Sequence, residues 1–525
     1  MLRVLQECDN AASDFQPDPV HDLRVALRRC RSLADGMMAM DPDREWKSMK
    51  KAGKRLFQSL GSLRDVQIMA QWIEQLGLGN AAPASSSAGI AEAVAGSPEH
   101  PGDPAEVLLQ ILRSREIEHK RAACTALKEF DRKQWRSWAK SLPRRAARIR
   151  PGSAVFRHLA LERWTAAREL HARSMRTLSP GALHALRIAI KRFRYIVENF
   201  LPAEHELWGS GLKRIQDLLG DVHDLDVLWA TAAQEQIFPA GDLRNTWRAR
   251  MRAARSQRLD EYRQKTRGPQ SLWNIWRARL PQGRQIHDIA TRRMQLWANA
   301  LDPDFAHSKH VARLALELYD GLNAAGWLGK TTTGTPDGAA RDARESLYAA
   351  ALLHDVGKAR GKKGHHKRSM AWIRAYGAPL GWKLENVERA ALVSRFHCGA
   401  LPARSHKALR ELPGYEQKDV IRLAAILRLA NALDAGHDGH IRGLKVEHPQ
   451  PANPRADRFR RKAAGFAKPP VLVIAAEGYR AGSPTAQEVA AERYLLELVV
   501  KRPVVIRGIR PSRSGIRSSR LRRAS

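Results

Sequence analysis

Cysteine is scarce in this chain of 525 residues: the four present, Cys8, Cys30, Cys124 and Cys398, stand far apart with no paired spacing, which excludes a disulfide scaffold or a cysteine-based metal knuckle. A reducing compartment, the cytoplasm, is the expected setting. Aromatic residues are equally sparse at 6%, too few for base stacking to be the main means of holding a ligand. Long apolar runs are missing too. No window offers about 20 uninterrupted apolar residues, and the opening MLRVLQECDNAASDF is acidic where an export signal would be basic and then apolar, so neither membrane spanning nor export is expected. Runs of β-branched residues are few, and the strand-like stretches come late, at 470-PVLVIAAEG-478 and 495-LLELVV-500. Acidic residues are outnumbered: 54 Asp+Glu face 90 Lys+Arg, leaving a net charge of +36. Such a field concentrates polyanions and speeds their arrival, without naming which polyanion.

What the chain has in abundance is amphipathic helix. Its length exceeds what one core usually serves, and 43% apolar residues supply two or more domains. Residues 1–270 read mostly as helix, with a Gly-, Pro- and Ser-rich excursion at 79–104. A second loop is expected over 329–343, a second domain over 285–500, and a disordered basic arm over 502–525, where Arg mixes with Ser and Gly without helical periodicity. The first domain repeats itself. The segments 21-HDLRVALRRCRS-32 and 54-KRLFQSLGSLRDVQI-68 recur in the same order as 184-HALRIAIKRFRY-195 and 213-KRIQDLLGDVHDLDVL-228, which predicts two similar helical bundles sharing a surface.

Each repeat carries one basic helix. His21, Arg24, Arg28 and Arg31 in the first, and His184, Arg187, Lys191 and Arg194 in the second, sit at offsets that fall within an arc of roughly 80° when each residue turns about 100°. The intervening Leu23, Val25, Leu27 and Leu186, Ile188, Ile190 are expected to pack inward. A line of cations repels itself, and an anion lying on the stripe relieves that repulsion. Lys50, Lys54 and Arg55, matched by Lys213 and Arg214, add a second basic row to each bundle. Arg offers forked hydrogen bonds to phosphate and Lys a mobile point charge, a mixture suited to a flexible chain of repeating phosphates. The two stripes, each followed by an LGxxxD turn at Leu60–Asp65 and Leu219–Asp224, resemble the CHAD domain over roughly residues 5–265. That resemblance implies a pair of four-helix bundles around a basic pore that binds inorganic polyphosphate.

Beyond residue 285 histidines and aspartates appear at spacings useful to a metal. His307 and His310 lie in 304-DFAHSKHVARLALELYDGL-322, His354 and Asp355 end the apolar run 349-AALLHDVGKARG-360, His365 and His366 follow, then His397 in 394-SRFHCGALP-402. Imidazole and carboxylate suit borderline divalent ions, which activate water and neutralise phosphate oxygens. The ordered set resembles an HD domain, and its wording is similar to the C-terminal domain of the exopolyphosphatase/guanosine pentaphosphatase family. The resemblance implies metal ligands at His307, His354 and Asp355, a second ion at His365, His366 and His397, and Lys358 facing a phosphate, with His354, Asp355 and Lys358 as the catalytic set. It leaves the ion open among Mg, Mn, Fe and Zn. Two positions depart from the pattern: the last aspartate of the form L-A-D-x-L-D reads Asn431, with Asp434 one turn on, and HHKHS reads HHKRS at 365–369. No counterpart of that family's actin-like catalytic domain precedes the region, so its activity does not transfer.

The expected fold is therefore mainly α: two fused four-helix-bundle repeats with a basic central surface, then an all-helical HD domain with a small β element near the C-terminus. The expected function is polyphosphate binding with an appended HD phosphohydrolase-like domain that hydrolyses or senses phosphate compounds. Two alternatives are a non-enzymatic adaptor at polyphosphate granules, with the HD region a metal-poor scaffold, and a basic protein that binds nucleic acid non-specifically.

Overall fold

The computed structural model describes residues 1–12, 15–78, 103–237, 242–328, 336–447 and 471–509. The chain is mainly α and divides into two compact units, Met1–Arg293 and Met294–Ser525. Among the described residues no helix is long and apolar enough to cross a membrane.

The first unit contains α1 (Leu2–Ala11), α2 (Pro17–Met37), α3 (Arg44–Ala52), α4 (Lys54–Gln75), α5 (Pro104–Lys128), α6 (Arg132–Ala146), α7 (Ala154–Thr177), α8 (Pro180–Phe200), α9 (Pro202–Gln234), α10 (Asp242–Thr266), α11 (Leu272–Ala278) and the start of α12 (Arg284–Leu301). The repeat is visible in its packing. α1 lies on α2 and α7 on α8; α4 lies on α5 and α9 on α10. Across the repeats α2 meets α8 and α4 meets α9. The two basic helices are both 21 residues long and both start on a proline, whose missing N–H is no loss in the first turn. Their apolar faces also match: Leu23, Leu27, Cys30, Ala34 and Met37 on α2 and Leu186, Ile190, Phe193, Val197 and Phe200 on α8 share the same offsets and are all buried. Burying each large one contributes about 1.5–3 kcal/mol. Val66, Met69 and Trp72 of α4, Leu108 of α5, Leu225 and Leu228 of α9 and Trp247 of α10 join both repeats in one core.

Several sequence expectations change here. Val25 is only half-buried and Ile188 is 37% exposed, because each stands about 200° around the helix from the leucine two places earlier. The LGxxxD segments are not turns but lie inside α4 and α9. Of the excursion expected over 79–104, residues 79–102 lie outside the described residues, and Asp103 caps α5 by accepting a hydrogen bond from the Ala105 amide at 3.1 Å.

The second unit contains α13 (Phe305–Ala324), α14 (Pro336–Leu353), a 3-10 turn (Val356–Arg360), α15 (His365–Tyr376), α16 (Leu384–Arg395), α17 (Gly414–Leu433), β1 (Gly443–Val446), β2 (Leu472–Glu477), α18 (Pro484–Val500) and β3 (Val504–Ile509). α17 is buried nearly all round, with α13, α14, α16 and α18 against it. The sheet has order β1-β2-β3, with β1 antiparallel and β3 parallel to β2. α18 is the crossover that parallel pairing of β2 and β3 requires.

Three expectations are corrected in this unit. Residues 495–500, read as a strand, are the last turns of α18: Ser483 caps it by accepting from the Ala486 amide at 3.3 Å, Pro484 starts it, and its buried Val489, Leu496 and Val500 keep helical spacing. The loop over 329–343 ends earlier, since α14 begins at Pro336; 329–335 lie outside the described residues. The arm over 502–525 begins as β3, whose Val504–Ile509 pair with Leu472–Glu477; 510–525 lie outside the described residues.

Candidate functional site

In the first unit the two basic stripes converge. α2 and α8 touch, and Arg24, Arg28, Arg187 and Lys191 repel one another across that contact. Burial, and then the charges of Arg187, Arg28 and Arg24, pull the Lys191 ammonium down to about 7. Burial lowers Arg24 as well, although Asp65 works against it. Arg24 and Arg31 stand over the Phe57 ring at 5.4 and 5.3 Å, and Arg28 over Tyr195 at 5.5 Å, so aromatic faces hold the guanidiniums in place. Arg24 Nη1 and the Nε atoms of Arg28, Arg187 and Arg194 are buried without a hydrogen-bond partner. Leaving such donors unmet costs about 1–3 kcal/mol each, more when charged, and a phosphate chain supplies the acceptors they lack.

The stripe ends differently in the two repeats. His184 Nδ1 meets His223 Nδ1 at 3.3 Å, and burial lowers both, His223 to about 4, so both imidazoles are neutral at pH 7. His21 is exposed on its helix and lowered by burial, then by Arg64 and Arg28. Asp224 is raised to about 6 by burial, which Arg187 and Lys191 oppose. At the far ends, Arg31 donates to the Lys50 carbonyl at 2.8 Å and Arg194 lies 3.9 Å from Glu198. In the second basic row Lys50 pairs with Asp35, Arg55 with Glu129 and Arg214 with Glu261, while Lys54 and Lys213 are exposed. Gly61, mid-helix on α4, is where Arg24 needs room, since a Cβ there would stand 2.9 Å from its Nη1; on α9 a Cβ at Gly220 would meet Arg187 Nε at an ordinary 3.9 Å. Arg64, His223, Phe57 and Tyr195 were missed at the sequence level, although Arg64 and His223 lie inside the LGxxxD segments that drew notice.

In the second unit the histidines and aspartates collect from five places in the chain. His307 opens α13 behind the Asp304 cap, His354 and Asp355 end α14, His365 and His366 start α15, His397 follows α16, and Asn431 and Asp434 close α17. Among the described residues three sets of donor atoms lie close enough to share an ion: His307 with His354 and Asp355, Asp355 with His365 and His397, and His365 with His366 and Cys398. His354, His365 and His397 each place Nδ1 at 2.7–2.8 Å from the carbonyl three residues earlier, Ala351, Lys362 and Ser394. Each Nδ1 donates there, which orients the ring and turns its Nε2 inward.

Those inward atoms crowd together. His365 Nε2 is 3.0 Å from His397 Nε2 and 3.3 Å from Asp355 Oδ1; His354 Nε2 is 3.4 Å from Asp355 Oδ2. His354 Nε2 and Asp355 Oδ1 are buried and have no hydrogen-bond partner. Burial works to raise Asp355, yet the imidazoles of His354, His365 and His397 hold it far below the usual carboxylate range. Its carboxylate raises His365 to about 10 and raises His354 against burial, whereas burial drives His397 well down. Facing imidazole nitrogens, a buried carboxylate and two unmet atoms are a donor set that fits a divalent cation. Lys358 pairs with Asp355 at the rim.

The two departures from the pattern have distinct structural consequences. Asn431 Oδ1 lies 3.1 Å from His307 Nε2, so the amide stands at the metal-facing nitrogen. Asp434 Oδ2 sits on the other nitrogen, accepting from His307 Nδ1 at 2.7 Å, while its Oδ1 accepts from the Gly439 amide at 2.9 Å. Asp434 therefore orients His307 through the ring nitrogen that Asn431 does not face. At the second departure, Arg368 donates to the carbonyls of Gly357 at 3.0 Å and Lys363 at 2.8 Å and also reaches Gly361, clamping the loop that carries Asp355 and Lys358. Ser369 completes the clamp: its Oγ accepts from the Gly357 amide at 2.9 Å and donates to the His354 carbonyl at 2.7 Å. His437, which stacks on His307 at 3.8 Å, and Cys398 were the neighbours missed at the sequence level.

Compared with known protein families, residues 1–233 match the CHAD domain and residues 289–454 match the Ppx/GppA phosphatase, domain III. No curated protein matches the chain. The chain thus joins an N-terminal CHAD domain to a C-terminal Ppx/GppA-like domain.

Proposed function

We propose that the protein binds inorganic polyphosphate on the convergent stripes of its first unit and acts on, or senses, phosphate compounds at the histidine-rich pocket of its second. The observation that carries the reading is the meeting of Arg24, Arg28, Arg187 and Lys191 with buried donors unmet, matched to a CHAD domain. Linear phosphate chains present closely spaced oxygens along one direction, as the two stripes do with their cations.

In the second unit His307, His354 and Asp355 would hold one divalent ion, with the Asn431 amide beside it, and Asp355, His365 and His397 frame a second position. Such an ion supplies activation of water and neutralisation of phosphate oxygen charge. The protein's own groups do the rest. Lys358, at the rim, steers an incoming phosphate, Asp434 keeps His307 in its tautomer, and the Arg368–Ser369 clamp fixes Asp355 against recoil. We assign His354, Asp355 and Lys358 as the reacting set and a cytoplasmic site of action beside polyphosphate stores.

A screen of polyphosphates and nucleotides with Mg, Mn, Fe and Zn tests the second half of this reading. Turnover is expected with at least one ion, and Asp355→Ala should abolish it while polyphosphate binding stays at the wild-type level. Turnover that survives Asp355→Ala or a chelator contradicts the assignment. A second reading, a granule adaptor with a metal-poor pocket, draws on the neutral amide of Asn431 where a carboxylate would add charge. It predicts no turnover in the wild type, and metal binding that appears only in Asn431→Asp.

A further inference from the structure

Cys398 lies outside the ligand pattern expected from the sequence, yet it faces the pocket. Its Sγ is 3.7 Å from His365 Nε2 and 3.6 Å from His366 Nδ1, and the three donor atoms lie close enough to hold one ion. A tetrahedral zinc with bonds of about 2.3 Å to sulfur and 2.0–2.1 Å to nitrogen sets sulfur and nitrogen about 3.6 Å apart, so both spacings are those of shared coordination.

The backbone is arranged to present the sulfur. Gly399 follows with φ +74°, a left-handed conformation that turns the chain directly after Cys398, and no side chain stands between the turn and His366. Arg428 of α17, paired with Glu492 of α18, donates to the carbonyls of Phe396 at 3.0 Å and Gly399 at 3.2 Å, which pins both ends of the segment bearing His397 and Cys398. Arg395, three residues before Cys398, is buried and its Nη1 has no hydrogen-bond partner.

We propose that Cys398, His365 and His366 form a thiolate-bearing metal site that takes zinc in preference to magnesium or manganese. The thiol proton leaves to solvent on coordination. His365 turns a single nitrogen, Nε2, toward both sets, so on giving up its proton it commits to one ion: to the Cys398–His366 set for a soft ion, or to the Asp355–His397 set for a hard one. The second ion position of the pocket is thereby selected by ligand softness. This inference goes beyond the phosphohydrolase reading and needs no turnover.

Anaerobic titration of the full chain with Co(II), followed by competition with Zn(II) and with Mn(II), tests it. The wild type is expected to show a near-ultraviolet thiolate-to-cobalt charge-transfer band that zinc abolishes and manganese does not. Cys398→Ser should lose the band and bind zinc at least tenfold more weakly, while its manganese affinity stays unchanged. His307→Ala, which breaks the His307–His354–Asp355 set, should keep the band. His366→Ala, read by the same band and by its helical signal, gives the answer if Cys398→Ser fails to fold. No band in the wild type, or a band that persists in Cys398→Ser and so arises from Cys8, Cys30 or Cys124, overturns the proposal. Loss of hydrolysis in Asp355→Ala has no bearing on that band, so the two readings fail separately.

Discussion

Lys191 is the residue whose charge the rest of the stripe makes expensive. Burial, then Arg187, Arg28 and Arg24, bring it down to about 7, whereas an unfolded lysine titrates near 10.4. Between those values the unfolded chain holds the proton that the folded one has released. The fold therefore gains stability from this group as pH rises through that window, and has lost the gain below about 7. Polyphosphate reverses the balance, since its oxygens favour the ammonium. Asp224, raised to about 6 by burial against the pull of Arg187, gives up its opposing charge over the next lower range. Both groups push the same way: polyphosphate affinity should rise as pH falls from 8.5 to 6, at constant ionic strength. Lys191→Arg, charged throughout, should flatten the dependence between pH 7 and 8.5. An equally steep wild-type and Lys191→Arg profile would place the titrating group elsewhere.

At the scale of single helices, the two glycines of the repeated LGxxxD segments differ in what they accommodate. On α4, a methyl group at Gly61 would stand 2.9 Å from Arg24 Nη1; on α9, one at Gly220 meets Arg187 Nε at an ordinary 3.9 Å. Alanine stabilises a helix interior over glycine by roughly 0.5–1 kcal/mol, and the tip of Arg24 is flexible enough to move aside. Gly61→Ala should thus leave thermal stability unchanged or raised while weakening polyphosphate binding by up to about tenfold, roughly 1.4 kcal/mol. Gly220→Ala should keep the affinity. Equal affinities in wild type and Gly61→Ala, measured by calorimetric titration, would mean that Arg24 needs no room on α4. The same segments show why the sequence misled about turns. LG reads as punctuation, and only the packed partner across the groove reveals that the glycine makes space for a guanidinium inside a continuous helix.

For the whole molecule, what could be read in advance was whatever is periodic or ordered along the chain. The basic stripes, the duplicated bundle, the mainly helical fold and the His-Asp series all repeat or recur at fixed spacing, and spacing survives in sequence. What could not be read depends on neighbours brought from elsewhere. Residues 495–500 look like a strand until Ser483 and Pro484 set a helix going. Residues 504–509 look like a loose arm until β2 offers an edge to pair with. The contact of His307 Nδ1 with Asp434 joins residues 127 apart, and Cys398 has no motif to announce it. In the second basic row, the acids that pair with Lys50, Arg55 and Arg214 come from Asp35, Glu129 and Glu261, which no spacing announces. That contrast defines the central claim, that binding rests on the convergent cations and not on the overall charge of +36. The direct measurement is a titration of full-length wild type and of the fourfold variant Arg24→Ala, Arg28→Ala, Arg187→Ala and Lys191→Ala with polyphosphate of defined length, repeated at several salt concentrations and with an RNA of equal charge as competitor. The account predicts tight wild-type binding that weakens steeply with salt, resists the RNA, and falls by at least a hundredfold in a fourfold variant that keeps its helical signal. Unchanged affinity in that variant, or displacement by RNA at equal charge, would contradict it.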